Sequence, residues 1–104
     1  MDELENLKAT QIPSNVLLRY LRLVPEYVDD VEQTTIKLMH EAAVSHLCET
    51  YGITKEYMDE SPDIAIAVLI LVRDLYDNRT LYVDKSNVNR AVSSIMASHN
   101  HNLL

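Results

Sequence analysis

Apolar residues recur at intervals of three and four through most of the chain, and the few helix-breaking residues mark where one run ends and the next begins. Pro13, Pro25, Gly52 and Pro62 divide it into five pieces. In the run 14–23, Val16, Leu17, Tyr20 and Leu21 stand at helical spacing behind Ser14, whose hydroxyl is suited to accept from an early helix N–H. A long amphipathic helix is predicted over 30–51. Asp30 and Gln33 have the spacing of a capping box, neighbouring carboxylates suit the positive end of a helix, and Gly52 supplies a left-handed stop. Its inward face is read as Val31, Leu38, Met39, Ala42, Ala43 and Leu47, and its solvated face as Glu32, Lys37, Glu41 and Glu49. Residues 53–61 read as a polar linker with room for one helical turn.

The segment IAIAVLILV has the β-branched content of a buried strand. Ser61-Pro62-Asp63 is nevertheless a helix opening, with a cap residue, proline at the first position and an acid near the dipole. The apolar pattern also runs on to Leu75 and Tyr76, and no second strand pattern offers a partner. A central helix over 62–79, apolar nearly all round, is therefore expected to be the most buried. A last helix over 87–98 follows Ser86, with Val88, Ala91, Val92, Ile95 and Met96 at helical spacing. The expected fold is all-α, one domain over 1–104, a small bundle of four main helices (14–23, 30–51, 62–79, 87–98) with the termini 1–12 and 98–104 flexible in the free protein.

Composition narrows the function. The chain has 104 residues, a formal net charge of -7, one glycine and one cysteine. Bulk charge of this sign argues against neutralising nucleic-acid phosphates. The charge is uneven: 25–61 carries -7, while 14–24 carries +2 and 80–104 carries +1. Cys48 has no second cysteine to pair with, and the polar, acidic start MDELENLKAT lacks the basic and apolar regions of a secretory signal, so a reducing interior is expected. The longest unbroken apolar stretch, 64–72, is about half of the roughly 20 residues that span a bilayer, and no membrane segment is expected.

Candidate chemistry is sparse. His40 and His46 are six apart on one helix, and His46 and Cys48 two apart, neither of which puts two metal ligands on one face. Packing is the better reading of all three, while His99 and His101 fall in the tail. Cys48 has no basic sequence neighbour to activate it, and the paired acids Asp29-Asp30 and Asp59-Glu60 read as helix-end caps. With a single glycine there is no phosphate-cradling loop, so no enzyme activity and no cofactor are expected.

The junction Leu75-Tyr76-Asp77-Asn78-Arg79 at the exit of the apolar helix has two readings. It is either a plain helix cap with Arg79 at the negative dipole end, or it fixes the connection to the last helix or meets another subunit, since Tyr and Arg are enriched in interfaces. Together with Ser61-Pro62-Asp63-Ile64, Ala67-Val68-Leu69 and Leu71-Val72, it resembles the "Pro-Asp-Ile, apolar helix, Leu-Tyr-Glu-Asn-Arg" signature of tailed-phage head-to-tail connector proteins, also described as DNA-packaging proteins. Upstream, Asp30, Glu41-Ala42-Ala43 and Glu49-Thr50-Tyr51-Gly52 are similar to that family's acidic turn, Ala-Ala helix and Tyr-Thr-Gly ending. The likeness covers 15–79; Asp77 replaces the signature's Glu, and Ser86-Asn87-Val88-Asn89 stands where many members carry an apolar-Pro-aromatic-Gly stretch.

The resemblance implies a virion protein made in the host cytoplasm, a ring of about 12–13 copies between portal and tail, joined by closing head-to-tail interfaces. DNA would pass through its channel without specific binding. On this reading Tyr76, Asn78, Arg79, Arg90, His99, His101, Leu103 and Leu104 are expected at subunit or portal interfaces, and Glu26, Asp29, Asp30 and Glu32 along an acidic channel that discourages DNA from adhering. The alternative is a monomeric intracellular adaptor or regulator that binds a partner's helix. A helix-turn-helix DNA reader ranks below both, because Arg90 is the one base within the last helix.

Overall fold

Residues 7–78 and 90–99 are described in a computed structural model, and every regular element among them is helical. The elements are α1 (Ser14–Tyr20), a 3-10 turn (Pro25–Tyr27), α2 (Asp30–Tyr51), α3 (Lys55–Asp59), α4 (Pro62–Asp77), α5 (Arg90–Met96) and a closing 3-10 turn (Ala97–His99). The all-α bundle expected from the sequence is the fold observed. The polar linker 53–61 contains the short α3, capped by the Thr54 hydroxyl, which accepts from the Tyr57 N–H at 3.1 Å.

Capping explains where the helices begin and end. α2 occupies the expected 30–51, but its cap lies one residue before the box Asp30/Gln33: Asp29 is the cap, and its Oδ1 accepts from the Glu32 N–H at 2.8 Å. Pro13, not Ser14, holds the cap position of α1, and Ser61 caps α4 by position with no side-chain bond. α1 ends at Tyr20 rather than at 23, in a Schellman turn. Leu23 N–H donates to Leu18 C=O at 2.9 Å and Arg22 N–H to Arg19 C=O at 3.0 Å, with Arg22 in the left-handed region at φ 61°. The same reversal ends α2, where Gly52 at φ 64° and ψ 36° takes it without a side-chain clash.

α4 is the central element and packs against α1, α2, α3 and α5. Ile64, Ala67, Val68 and Val72 on it are wholly buried, as are Leu47, Met58 and Met96 from its neighbours. Each large side chain so enclosed contributes about 1.5–3 kcal/mol relative to exposure. Ile66 is the exception, 53% exposed on the far side.

The face of α2 differs from the sequence reading. The buried side chains are Ile36, His40, Ala43, Val44 and Leu47. Val31, at 75%, and Leu38, at 59%, stand in solvent together with Ala42. Apolar residues occupy both sides of the helix, so spacing alone does not single out the core side. Before α1, the chain over 7–12 belongs to the core, with Leu7, Ala9 and Ile12 buried, although flexibility is expected there from its polar sequence.

Candidate assembly surface

One of the acids expected along a channel, Glu32, and the tyrosine expected at an interface meet in space. α2 and α4 run antiparallel, which brings the start of one to the end of the other. There Tyr76 Oη donates to Glu32 Oε1 at 2.6 Å in a part-buried setting. A short bond to an ionised acceptor is of the stronger kind. Asp29 is held by its capping bond, while Glu26 and Asp30 are exposed, so this end of the bundle presents carboxylates on a fixed frame.

The remaining junction residues have local work. Asn78 follows the last turn of α4, and both its backbone N–H and its Nδ2 donate to the Asp74 carbonyl at 3.0 Å. Capping accounts for it. Asp77, the position that departs from the connector signature, lies 3.6 Å from Arg73 Nε one turn back, with both side chains about half exposed. A pair so placed is worth a few tenths of a kcal/mol. Arg90 is exposed at the first residue of α5. Arg79, His101, Leu103 and Leu104 lie outside the described residues.

His99 sits between two partners from different helices. Tyr57 Oη and His99 Nδ1 are 2.7 Å apart, and His99 Nε2 is 2.7 Å from Asp63 Oδ2. Because a carboxylate only accepts when ionised, Nε2 carries the proton and Nδ1 is left to accept from the tyrosine when the ring is neutral. The rings of Tyr57 and His99 also meet edge to face at 5.6 Å. This tail residue thus joins the end of α5 to α3 and to the start of α4.

Two further links fasten the segment before α1. His40 Nε2 donates to the Ala9 carbonyl at 2.8 Å within the core. The Thr10 N–H and hydroxyl both reach Asp59, at 2.9 Å and 2.8 Å to Oδ1 and 2.8 Å to Oδ2. Asp59 is therefore not a helix-end cap as the sequence suggests: it is the last residue of α3, where a carboxylate opposes the dipole, and Thr10 gives it donors instead. With Thr10 and Asp59 separated by 49 positions and Tyr57 and His99 by 42, neither contact has a signal in local spacing.

Cys48 is half-buried with its Sγ 3.2 Å from Met58 Sδ. Burial pushes its thiol pKa up, and Glu49 and Glu56 add to this while Lys55 opposes it. A thiol held protonated is a poor nucleophile. No group of His, Cys, Asp and Glu among the described residues has the arrangement to hold a metal ion, and no helix among them is long and apolar enough to cross a membrane.

An open groove of about 520 Å³ runs between 10–12, α1 and α2. Its floor is apolar, with Ile12, Leu17 and Ile36 buried, and Gln33, Lys37 and Glu41 stand exposed on its rim. Compared with protein-family models, curated proteins and solved structures, the chain matches none. Fold and surface together define a small all-α unit braced at both ends of its central helix.

Proposed function

We propose that this protein is a structural subunit of the head-to-tail connector kind, assembling as a ring between a phage portal and tail within the virion. The observation that carries the reading is the Tyr76–Glu32 hydrogen bond at 2.6 Å. The tyrosine of the Leu-Tyr-Asp-Asn-Arg element fastens the end of α4 to the acidic start of α2, which suits a rigid platform more than a moving catalytic part. The exposed carboxylates of Glu26 and Asp30 beside it are in keeping with a channel wall that repels DNA. Ring closure would need two different surfaces of each copy to meet.

Electron microscopy of the full chain mixed with a tailed-phage portal protein encoded in the same genome tests this. Rings seated on the portal are the expected image. Portals that stay bare at saturating subunit concentration would overturn the reading.

The groove between α1 and α2 favours a second reading, a helical adaptor that takes an apolar segment of another protein. Bare portals together with capture of an unrelated host or phage protein dependent on Ile36 would favour it.

A further inference from the structure

Tyr57, His99 and Asp63 stand in the order that activates a hydroxyl for attack: a nucleophile, a base in hydrogen-bond reach of it, and a carboxylate behind the base. Three elements supply them. Tyr57 lies in α3, Asp63 in the first turn of α4 and His99 in the closing turn, and such a constellation is defined by geometry and roles, not by chain order. Both hydrogen bonds are 2.7 Å long, within the reach that proton transfer needs. Asp63 accepts from Nε2–H and so fixes the tautomer, which leaves the lone pair of Nδ1 facing the phenol. The edge-to-face contact of the two rings keeps that alignment. Tyr57 is half-buried, while the side chains of His99 and Asp63 are 14% and 49% exposed, so the cluster lies at the surface, open to a small reagent.

We propose that Tyr57 is a nucleophilic tyrosine, a site of covalent modification that takes an acyl group, or its sulfonyl analogue, from a small activated donor. Oη forms a bond to the acyl carbon as the bond from that carbon to its leaving group breaks, and the leaving group departs with the electron pair. The phenolic proton passes to Nδ1. The resulting imidazolium is stabilised by the Asp63 carboxylate and then gives its proton to water, leaving an aryl ester on Tyr57 with no change of oxidation state.

Two other tyrosines supply the contrast. Tyr27 is 85% exposed, so accessibility alone would make it the faster of the two. Tyr76 donates over a comparable 2.6 Å to Glu32, yet a carboxylate is a far weaker base than an imidazole. Short hydrogen bonding would favour Tyr57 and Tyr76 alike; an imidazole base favours Tyr57 alone. The site involves neither portal nor ring, and it stands independently of the proposed function.

Phenylmethanesulfonyl fluoride added to the full chain at neutral pH tests this, since Oη displaces fluoride and the sulfonate ester survives digestion, giving each tyrosine its own rate by peptide mass. Tyr57 is expected to react at least about tenfold faster than Tyr27 or Tyr76. In His99→Asn the amide oxygen can still accept from Tyr57 but takes no proton, and the rate at Tyr57 falls to that of Tyr76 or below. Asp63→Asn removes the charge that stabilises the imidazolium and slows Tyr57 at least about tenfold, while Asp63→Glu recovers part of the rate. A purely structural role gives the opposite sign, because a loosened closing turn exposes Tyr57 and speeds its labelling. A wild-type chain in which Tyr57 reacts no faster than Tyr27 would overturn the proposal, and this comparison holds whatever the variants do to folding. Undiminished labelling of Tyr57 in His99→Asn or in Asp63→Asn would overturn it as well.

Discussion

Tyr76 Oη lies 2.6 Å from Glu32 Oε1, and this one hydrogen bond joins the last turn of α4 to the first turn of α2 across 44 residues of sequence. Both residues stand near helix ends, where intrahelical bonds run out and the ends would otherwise fray. The bond turns two terminal turns into one braced edge.

Replacing Tyr76 by Phe removes the donor and leaves the ring. The expected loss is about 1–2 kcal/mol, since a part-buried bond to a charged acceptor exceeds a neutral one. Urea unfolding of Y76F, E32Q and the double variant gives the coupling, and the double variant should lose clearly less than the sum of the singles. Strict additivity would mean that the pair contributes nothing.

The two left-handed helix ends call for opposite responses. Arg22 at φ 61° bears a strain that glycine does not, so Arg22→Gly is expected to leave stability unchanged or raise it by up to about 1 kcal/mol. Gly52 at φ 64° is already relaxed, and Gly52→Ala should cost about 1 kcal/mol. Thermal melts of the two variants should move in opposite directions or show a loss for the alanine alone. A melting temperature lowered by R22G would contradict the strain argument.

His99→Ala takes a partner from both Tyr57 and Asp63 at once. The closing turn and α5 should lose amide protection from hydrogen exchange, while α2 keeps its own. His99→Asn and His99→Gln test which ring nitrogen matters more, because the asparagine amide oxygen can take the acceptor place of Nδ1 toward Tyr57 and the glutamine amide nitrogen the donor place of Nε2 toward Asp63. Equal protection of 90–99 in wild type and His99→Ala would remove the latch.

Thr10→Val should release the segment before α1 by withdrawing the hydroxyl from Asp59. The carboxylate then keeps only the Thr10 backbone N–H at 2.9 Å. Protease cleavage within 7–12 is expected to accelerate severalfold, with a stability loss of about 1 kcal/mol. An unchanged cleavage rate would show that His40 and the buried Leu7, Ala9 and Ile12 suffice.

Cys48 should alkylate slowly in the folded chain. Burial raises its thiol pKa, so the reactive thiolate appears at higher pH than in the unfolded chain. The same displacement makes its share of stability present below the ordinary thiol pKa and lost as pH rises past it. Iodoacetamide labelling followed by mass at mildly alkaline pH should run severalfold faster in denaturant.

Local grammar carried most of the fold. Pro13, Pro25, Gly52 and Pro62, with the apolar run after Ser61-Pro62-Asp63, were enough to define an all-α bundle with a buried central helix, because turn chemistry and helical periodicity act over a few residues. The long helix keeps its expected bounds 30–51 with its cap one residue earlier, at Asp29, and the end of α1 moved from 23 to Tyr20. The inward face of α2 was legible only in part: Ala43 and Leu47 are buried as read, but apolar residues lie on both its sides, and the choice between the Leu47 side and the Leu38 side depends on where α4 packs. The links Glu32–Tyr76, Thr10–Asp59 and Tyr57–His99 likewise exist only once distant segments are brought together. Sequence determined the helices, since their hydrogen bonds close within four residues; the tertiary structure decided which faces and ends meet, since burial and charge pairing are settled by neighbours far along the chain.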